Sequence, residues 1–490
     1  MSFLTYGRIE QRKDNFMKGS TRDMMGKNGS FAVSLRKSKR QQAVKKYREE
    51  IEKNKIEDED DDDERNNDVE IISLETIESL LNSMNQDNYL VNLGNIKYIC
   101  RGERSYQLIP YPDLISRLIL LLNNQYEDRI SEIIMDIIIS LTGGSPSTTF
   151  KAMNCLGYDC ILYSLDPLRP LTSYKTLKAL SNLAADSQRI RLKLIDIKAH
   201  EHILHFCQSS LSTPFLQVIS KFFKDLLSEN NIIPNEIFEV CLPLLKAFIH
   251  ESDTTIIGNS LDAINSFCNE NQTRIKLIST QDFLNIIRNL CTHTSMTIIE
   301  KAIVTIGNIS YSNDYQTRFL VENNIFDLFC ITIEASSGKV RKETAYAISN
   351  IISDGDFYIE KLIDHVLIDK IISKLEDNDS EVQREISYIM FNLSSKGQFR
   401  HFKALVDKMV FSYIRYPLLR NDSKTIFNNL SFICAVLESY KSNDCYEAIE
   451  SMEDTQCIIT IENLRKSFIS SHYEKISKIL SFFENDFSID

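Results

Sequence analysis

The sequence predicts an all-α chain built as a solenoid, and three observations predict it. Seven positions recur on a ruler of about 42 residues: Ser140, Asn182, Asp225, Ser266, Asn308, Asn350 and Asn392, with gaps of 42, 43, 41, 42, 42 and 42. A fixed period near 40 marks stacked helical units, because one unit cannot bury its apolar face alone. Glycine (14) and proline (9) are scarce in 490 residues, so long runs of helix formers go unbroken. From about Ile71 onward apolar residues fall every three or four positions, the spacing of a buried helix face.

Residues 1–56 read as a basic arm, with 15 Lys or Arg against 6 Asp or Glu. The stretch FAVSLRKSKRQQAVKKYREEIEK from Phe31 has helix formers and no breaker. Its apolar positions, Val33, Leu35, Ala43 and Val44, are too few for a core helix. Such a segment is marginal alone and folds on a partner. Residues 57–70 are an acidic linker opening with EDEDDDDE, read as a solvated spacer or as a charge screen for the basic arm.

Residues 71–440 carry the repeats. In each unit a phrase such as LSNLAAD (180–186), IGNISYSND (306–314), ISNIISDGD (348–356) or FNLSSKG (391–397) sits on the ruler. Residues 339–374 illustrate one unit. KVRKETAYAISNIIS is a helix closed by Asp354-Gly355-Asp356, YIEKLIDHVLIDKIISKL supplies two more, and Asp377-Asn378-Asp379 breaks before the next. Polar and glycine turns are the expected stops. Three helices in about 42 residues is armadillo spacing, with HEAT repeats as the competitor. The fold class is therefore an all-α, right-handed superhelical armadillo solenoid with a flexible basic N-terminal arm. Residues 441–490 leave the ruler and read as a C-terminal capping repeat and tail.

Several functions are disfavoured. No stretch approaches 18 uninterrupted apolar residues, and the N-terminus lacks the apolar core of a secretory signal, so no membrane association is expected. Net charge is −12; with the arm set aside the body holds 41 basic and 62 acidic residues, a balance of −21. That body suits basic ligands and not nucleic acid. Eleven cysteines show no CxxC pair and read as reduced, buried thiols. His200, His202 and His205 lack a completing ligand at metal spacing. No phosphate loop, nucleophile elbow or catalytic cluster is present. No enzyme activity, metal or cofactor is expected.

The chain resembles the importin-α family, nuclear import adaptors for cargo with basic nuclear localisation signals. The resemblance rests on RKDNFMKG (12–19), RDMM (22–25) and LRKSKRQQAVKKYR (35–48), similar to the family's importin-β-binding segment. It extends to AIVTIGNISYSNDYQTRFLVENNIF (302–326), similar to its sixth repeat, and to IENLRKSFISSHYEKISKILSFFEND (461–486), similar to its closing repeat. It implies that Arg36, Lys37, Lys39, Arg40, Lys46 and Arg48 bind importin-β. Ran-GTP would release that partner in the nucleus and the tail would engage a recycling exportin. The protein would shuttle between cytoplasm and nucleus. The thinner cluster Lys46-Tyr47-Arg48 implies weak autoinhibition by the arm.

In the family a Trp-x-x-x-Asn pair on each third helix holds an extended peptide. Asparagine both donates and accepts to its backbone, and indoles flank lysine stems. This chain has no tryptophan. The pairs become Asp136/Ser140, Lys178/Asn182, Lys221/Asp225, Asp262/Ser266, Val304/Asn308, Tyr346/Asn350 and Tyr388/Asn392. The resemblance implies a degraded major-like cargo site at Gly144, Thr149, Asn182 and Asp186, where lysines replace two indoles. It implies a better kept minor-like site at Asn308, Asp314, Tyr346, Asn350, Glu385, Tyr388 and Asn392, where tyrosine keeps a stacking face. The competing readings are an asparagine that bonds a neighbouring repeat, a tyrosine that is core, and a Glu385 that is merely solvated. At the level of the whole chain the alternative is an armadillo scaffold that has lost cargo transport.

Overall fold

The computed structural model describes residues 88–99, 128–143, isolated positions between 79 and 154, and most of 158–484. The arm, the acidic linker and Gly144 lie outside the described residues. Among the described residues the regular structure is helical, with no strand. It divides into two compact units, 64–286 and 287–490.

One long helix recurs in each repeat. In the first unit these are α1 (Tyr89–Ile99), α2 (Asp128–Thr142), α3 (Pro170–Asp186), α4 (Thr213–Leu226) and α5 (Thr254–Cys268). In the second they are α6 (Met296–Ser310), α7 (Gly338–Ile352), α8 (Ser380–Lys396), α9 (Ser423–Lys441) and α10 (Tyr473–Glu484). Seven of these ten, α2 to α8, carry the ruler positions. Within each unit every long helix packs against the next. Two shorter helices connect most of them, as Asp314–Glu322 and Ile325–Thr332 join α6 to α7. Helices Asp356–Ile363 and Leu367–Ser373 do the same between α7 and α8. The unit read from residues 339–374 is therefore present with its three helices and its breaks.

Local chemistry explains the boundaries. Oδ1 of Asp253 accepts from the amides of Thr255 and Ile256 at the start of α5, and Asp379 accepts from Glu381 N at the start of α8. Such caps satisfy amides that have no partner inside the helix. Pro170 opens α3 at the position where a missing N–H costs nothing. Lys198, Asn324 and Met409 take left-handed backbone with φ of 56°, 55° and 58°, turning the chain between the two short helices of three repeats. Leu177, Leu180 and Leu183 of α3 are fully buried, each burial favouring the fold by about 1.5–3 kcal/mol before entropy is counted.

Polar staples join neighbouring repeats as well. Arg341 on α7 forms a two-pronged pair with Asp377, Nε to Oδ2 and Nη2 to Oδ1 both at 2.8 Å. Cys241, Cys268, Cys291, Cys434 and Cys457 are buried, and burial pushes the Cys457 thiol up to about 12. Among the described residues no helix is long and apolar enough to cross a membrane.

Candidate peptide-binding site

The later rungs are more occupied by the fold than the sequence implied. Asn392 Nδ2 donates to the Ser349 carbonyl at 2.8 Å and to Ser349 Oγ at 3.2 Å, one repeat back. Asn350 Nδ2 donates to the Gly307 carbonyl at 3.4 Å. The next helix continues the lacing off the ruler: Asn428 Nδ2 donates to Ser387 Oγ at 3.1 Å. Asn350 and Asn392 are 1% and 4% exposed, and Tyr346, Tyr388 and Glu385 are 8%, 5% and 8% exposed. Little of either ring reaches the surface. Tyr346 lies over Gly307, where a methyl group would stand 3.6 Å from its Cδ1.

Asn308 is half-buried on α6. Asp314 stands exposed at the start of the next helix. Its Oδ1 accepts the Tyr358 hydroxyl at 2.5 Å, and burial followed by this carboxylate pushes the Tyr358 phenol up. Because Asn392 makes two bonds across a repeat interface, Asn392→Ala should cost about 1–3 kcal/mol through stranded partners. Thermal unfolding followed by helix circular dichroism checks this; an unchanged midpoint would show that the bonds add nothing.

In the first unit several of the unexpected charges have partners. Asp136 Oδ2 is held between Lys97 of α1 at 2.6 Å and Lys175 of α3 at 2.9 Å. Burial alone would raise its carboxyl, but the two lysines hold it below the ordinary value. Lys224 faces Asp262 at 3.8 Å. Lys178 is exposed and its Nζ lies 4.7 Å over the Tyr174 ring. Lys221 is exposed. Asn182 is half-buried, with Nδ2 3.7 Å from where a Cβ on Gly143 would stand.

At the end of α3 the situation is the reverse. Among the described residues, Oδ2 of Asp186, Oγ1 of Thr149 and the hydroxyl of Tyr158 are buried with no well-formed hydrogen bond, although the Thr149 hydroxyl lies close enough to the Asp186 carboxyl to pull on it. Burial raises the Asp186 carboxyl, while Ser187, Thr149 and Arg191 pull it down less strongly. Burial, then the Asp186 charge, also raises the Tyr158 phenol. Arg191 is spent elsewhere, donating through Nη1 to the Ala184 carbonyl at 3.1 Å. Arg189 lies 3.8 Å over the Phe150 ring. The structure thus brings Thr149 and Asp186 together and adds Tyr158, which no period marks. A carboxylate and two hydroxyls short of donors and acceptors form an environment that an ammonium group satisfies.

No family model matches the chain, and no curated protein matches it. Among solved structures, an engineered protein from the Northeast Structural Genomics Consortium superposes with a TM-score of 0.69 at 17% identity, covering 84% of this chain and 98% of its own. A designed armadillo repeat protein aligns at 0.43 with 19% identity over 49% of this chain and 98% of its own. A computationally designed armadillo repeat protein for modular peptide recognition aligns at 0.44, with 19% identity over the same shares. The first of these likenesses bears on the fold. With its 42-residue period and three-helix units, the chain is an armadillo-repeat solenoid.

Proposed function

We propose that this solenoid binds an extended basic segment of a partner protein and works as an import adaptor. The buried polar atoms of Asp186, Thr149 and Tyr158, which make no well-formed hydrogen bond among the described residues, carry the reading. Each such atom costs the fold about 1–3 kcal/mol when left unpaired, and a lysine ammonium brings the missing donors. The acidic body, with a balance of −21 outside the arm, steers basic ligands. The later rungs are the weaker half, since their amides already bond neighbouring repeats. In the full reading the arm engages importin-β through Arg36, Lys37, Lys39, Arg40, Lys46 and Arg48. Ran-GTP then releases importin-β in the nucleus, the tail engages a recycling exportin, and the protein shuttles between cytoplasm and nucleus.

Titration of the full chain with a short lysine-rich peptide tests the binding step: Asp186→Asn should abolish tight binding. Equal affinity in both proteins would sink the pocket. The scaffold reading draws on the closed tyrosines and on Lys178 and Lys221. An importin-β pull-down decides between the two readings. The full chain should be retained at low salt, and a chain with Arg36, Lys37, Lys39 and Arg40 changed to alanine should not. If the unaltered chain is not retained, the scaffold reading wins.

A further inference from the structure

Asp136, Lys178, Lys221 and Asp262 stand four residues ahead of the ruler on the consecutive helices α2, α3, α4 and α5 of the first unit. The two carboxylates of this row are matched. Asp136 sits between Lys97 and Lys175, and Asp262 faces Lys224. The two ammonium groups are not. Lys178 and Lys221 are exposed, and among the described residues neither has an ion-pair partner. Lys178 is also held in place. Its Nζ lies over the half-buried Tyr174 ring, which meets the half-buried Phe215 of α4 edge-on with centroids 5.3 Å apart. Attraction between an ammonium and a ring face presents Lys178 at the contact between α3 and α4. Packed helices stand about 8–10 Å apart. Residues on one face of an extended segment stand about 7 Å apart, so one such segment can meet both lysines.

The chain carries the complement. Residues 57–64, EDEDDDDE, are eight consecutive acidic residues, and the longest such run elsewhere is two. They lead into the same unit that holds both lysines. The 24 residues from Arg65 to Asn88 span about 36 Å as helix and about 80 Å extended. Three helix spacings separate α1 from α4, about 30 Å. The tract is therefore long enough tethered to reach the lysine rungs of its own chain.

We propose that the acidic tract 57–64 docks along Lys178 and Lys221 of its own chain and is their counter-charge. The proposal goes beyond the peptide-binding reading and does not depend on Asp186. An attached segment acts at an effective concentration of about a millimolar or more, so the tract holds the two lysines against acidic segments of other proteins. Eight carboxylates against two ammonium groups also leave the covered face negative.

Zero-length carbodiimide cross-linking of the full chain, mapped by mass spectrometry, tests this, because it joins a carboxylate to an amine only where the two touch. Links from 57–64 should reach Lys178 and Lys221 at least tenfold more often than Lys276, an exposed lysine of the same unit that also lacks an ion-pair partner among the described residues. They should form within one molecule when labelled and unlabelled protein are mixed, and fade in about 0.5 M salt. Links to Lys276 at equal frequency, or links confined to lysines of the arm, overturn the proposal. Links between molecules overturn it too and make the occupant a second copy. A synthetic EDEDDDDE peptide gives a second readout without cross-linking. A chain with 57–64 changed to QNQNNNNQ should bind that peptide at least tenfold tighter than wild type, whose lysines are already covered. Adding Lys178→Gln and Lys221→Gln should remove the gain, and adding Lys276→Gln should not. Equal affinity of wild type and the altered chain, or a gain that survives Lys178→Gln with Lys221→Gln, means that the tract does not occupy these lysines and overturns the proposal.

Discussion

Asp377→Ala should lower the unfolding midpoint of the 287–490 unit by roughly 10 °C. The pair it breaks is, among the described residues, the most enclosed ion pair between repeats, with Arg341 and Asp377 side chains 15% and 5% exposed. Removing the carboxylate leaves the guanidinium with only its bonds to the Ala335 and Ser336 carbonyls. It also strips the Asp379 amide of its acceptor, Asp377 Oδ1 at 2.9 Å, just before the cap of α8. An uncompensated buried charge of this kind costs about 3 kcal/mol. The pH dependence follows from the sign of the shift. Burial alone would raise the Asp377 carboxyl, but the Arg341 bonds and the Asp379 amide hold it below its ordinary value of 3.8. A depressed carboxyl contributes stability above the unfolded value and loses it as pH falls through the folded one. Wild type and variant should therefore differ at neutral pH, begin to approach one another near the ordinary carboxyl value of 3.8, and converge only once the pH has fallen through the lower folded value. As a control, Asp196→Ala breaks an exposed pair, 56% and 63% exposed, and should change stability by less than about 0.5 kcal/mol. Equal effects of the two substitutions would mean that enclosure does not govern the Arg341–Asp377 pair.

The contrast between these pairs shows what a sequence can reveal here. Helix placement was legible because packing imposes it locally: Asp354-Gly355-Asp356 and Asp377-Asn378-Asp379 stop helices wherever the rest of the chain lies. The ruler position of Asn350 and Asn392 was legible too, but not the direction in which their amides bond. That direction depends on which carbonyl the preceding repeat presents, Gly307 in one case and Ser349 in the other. Asp136 read alone was a charge without purpose; its partners Lys97 and Lys175 each stand 39 residues away. A search for opposite charges at slightly under one period would have found them. Tyr158 carries no such signal, because it belongs to no ladder helix. Tyr346 and Tyr388 matched an expected aromatic phase, yet their depth is set by the neighbouring repeats, and phase does not report depth.

Asp186→Asn should weaken a lysine-rich peptide by about thirtyfold or more while raising the thermal stability of the free protein. The loss follows from removing one member of a charge-assisted contact in a partly enclosed pocket, about 2 kcal/mol or more. The gain in stability follows from the raised carboxyl of Asp186, which burial lifts above its ordinary value of 3.8. A raised folded-state value means that the protonated carboxyl favours the fold; that contribution is present below the unfolded value and lost as pH rises through the folded one. At neutral pH the ionised Asp186 is thus a burden on the free protein, and neutral asparagine relieves it. Peptide affinity should move the opposite way with pH, because only the ionised carboxylate attracts an ammonium. Wild-type affinity should fall on acidification starting above the pH at which an ordinary aspartate protonates, and Asp186→Asn should show no such fall. Titrations from pH 4 to pH 8 with thermal melts of both free proteins read both effects. A residue retained only for packing gains nothing from being ionised, so a variant both weaker in binding and more stable marks Asp186 as held for its ligand. A variant less stable and unchanged in affinity would make it a structural carboxylate instead.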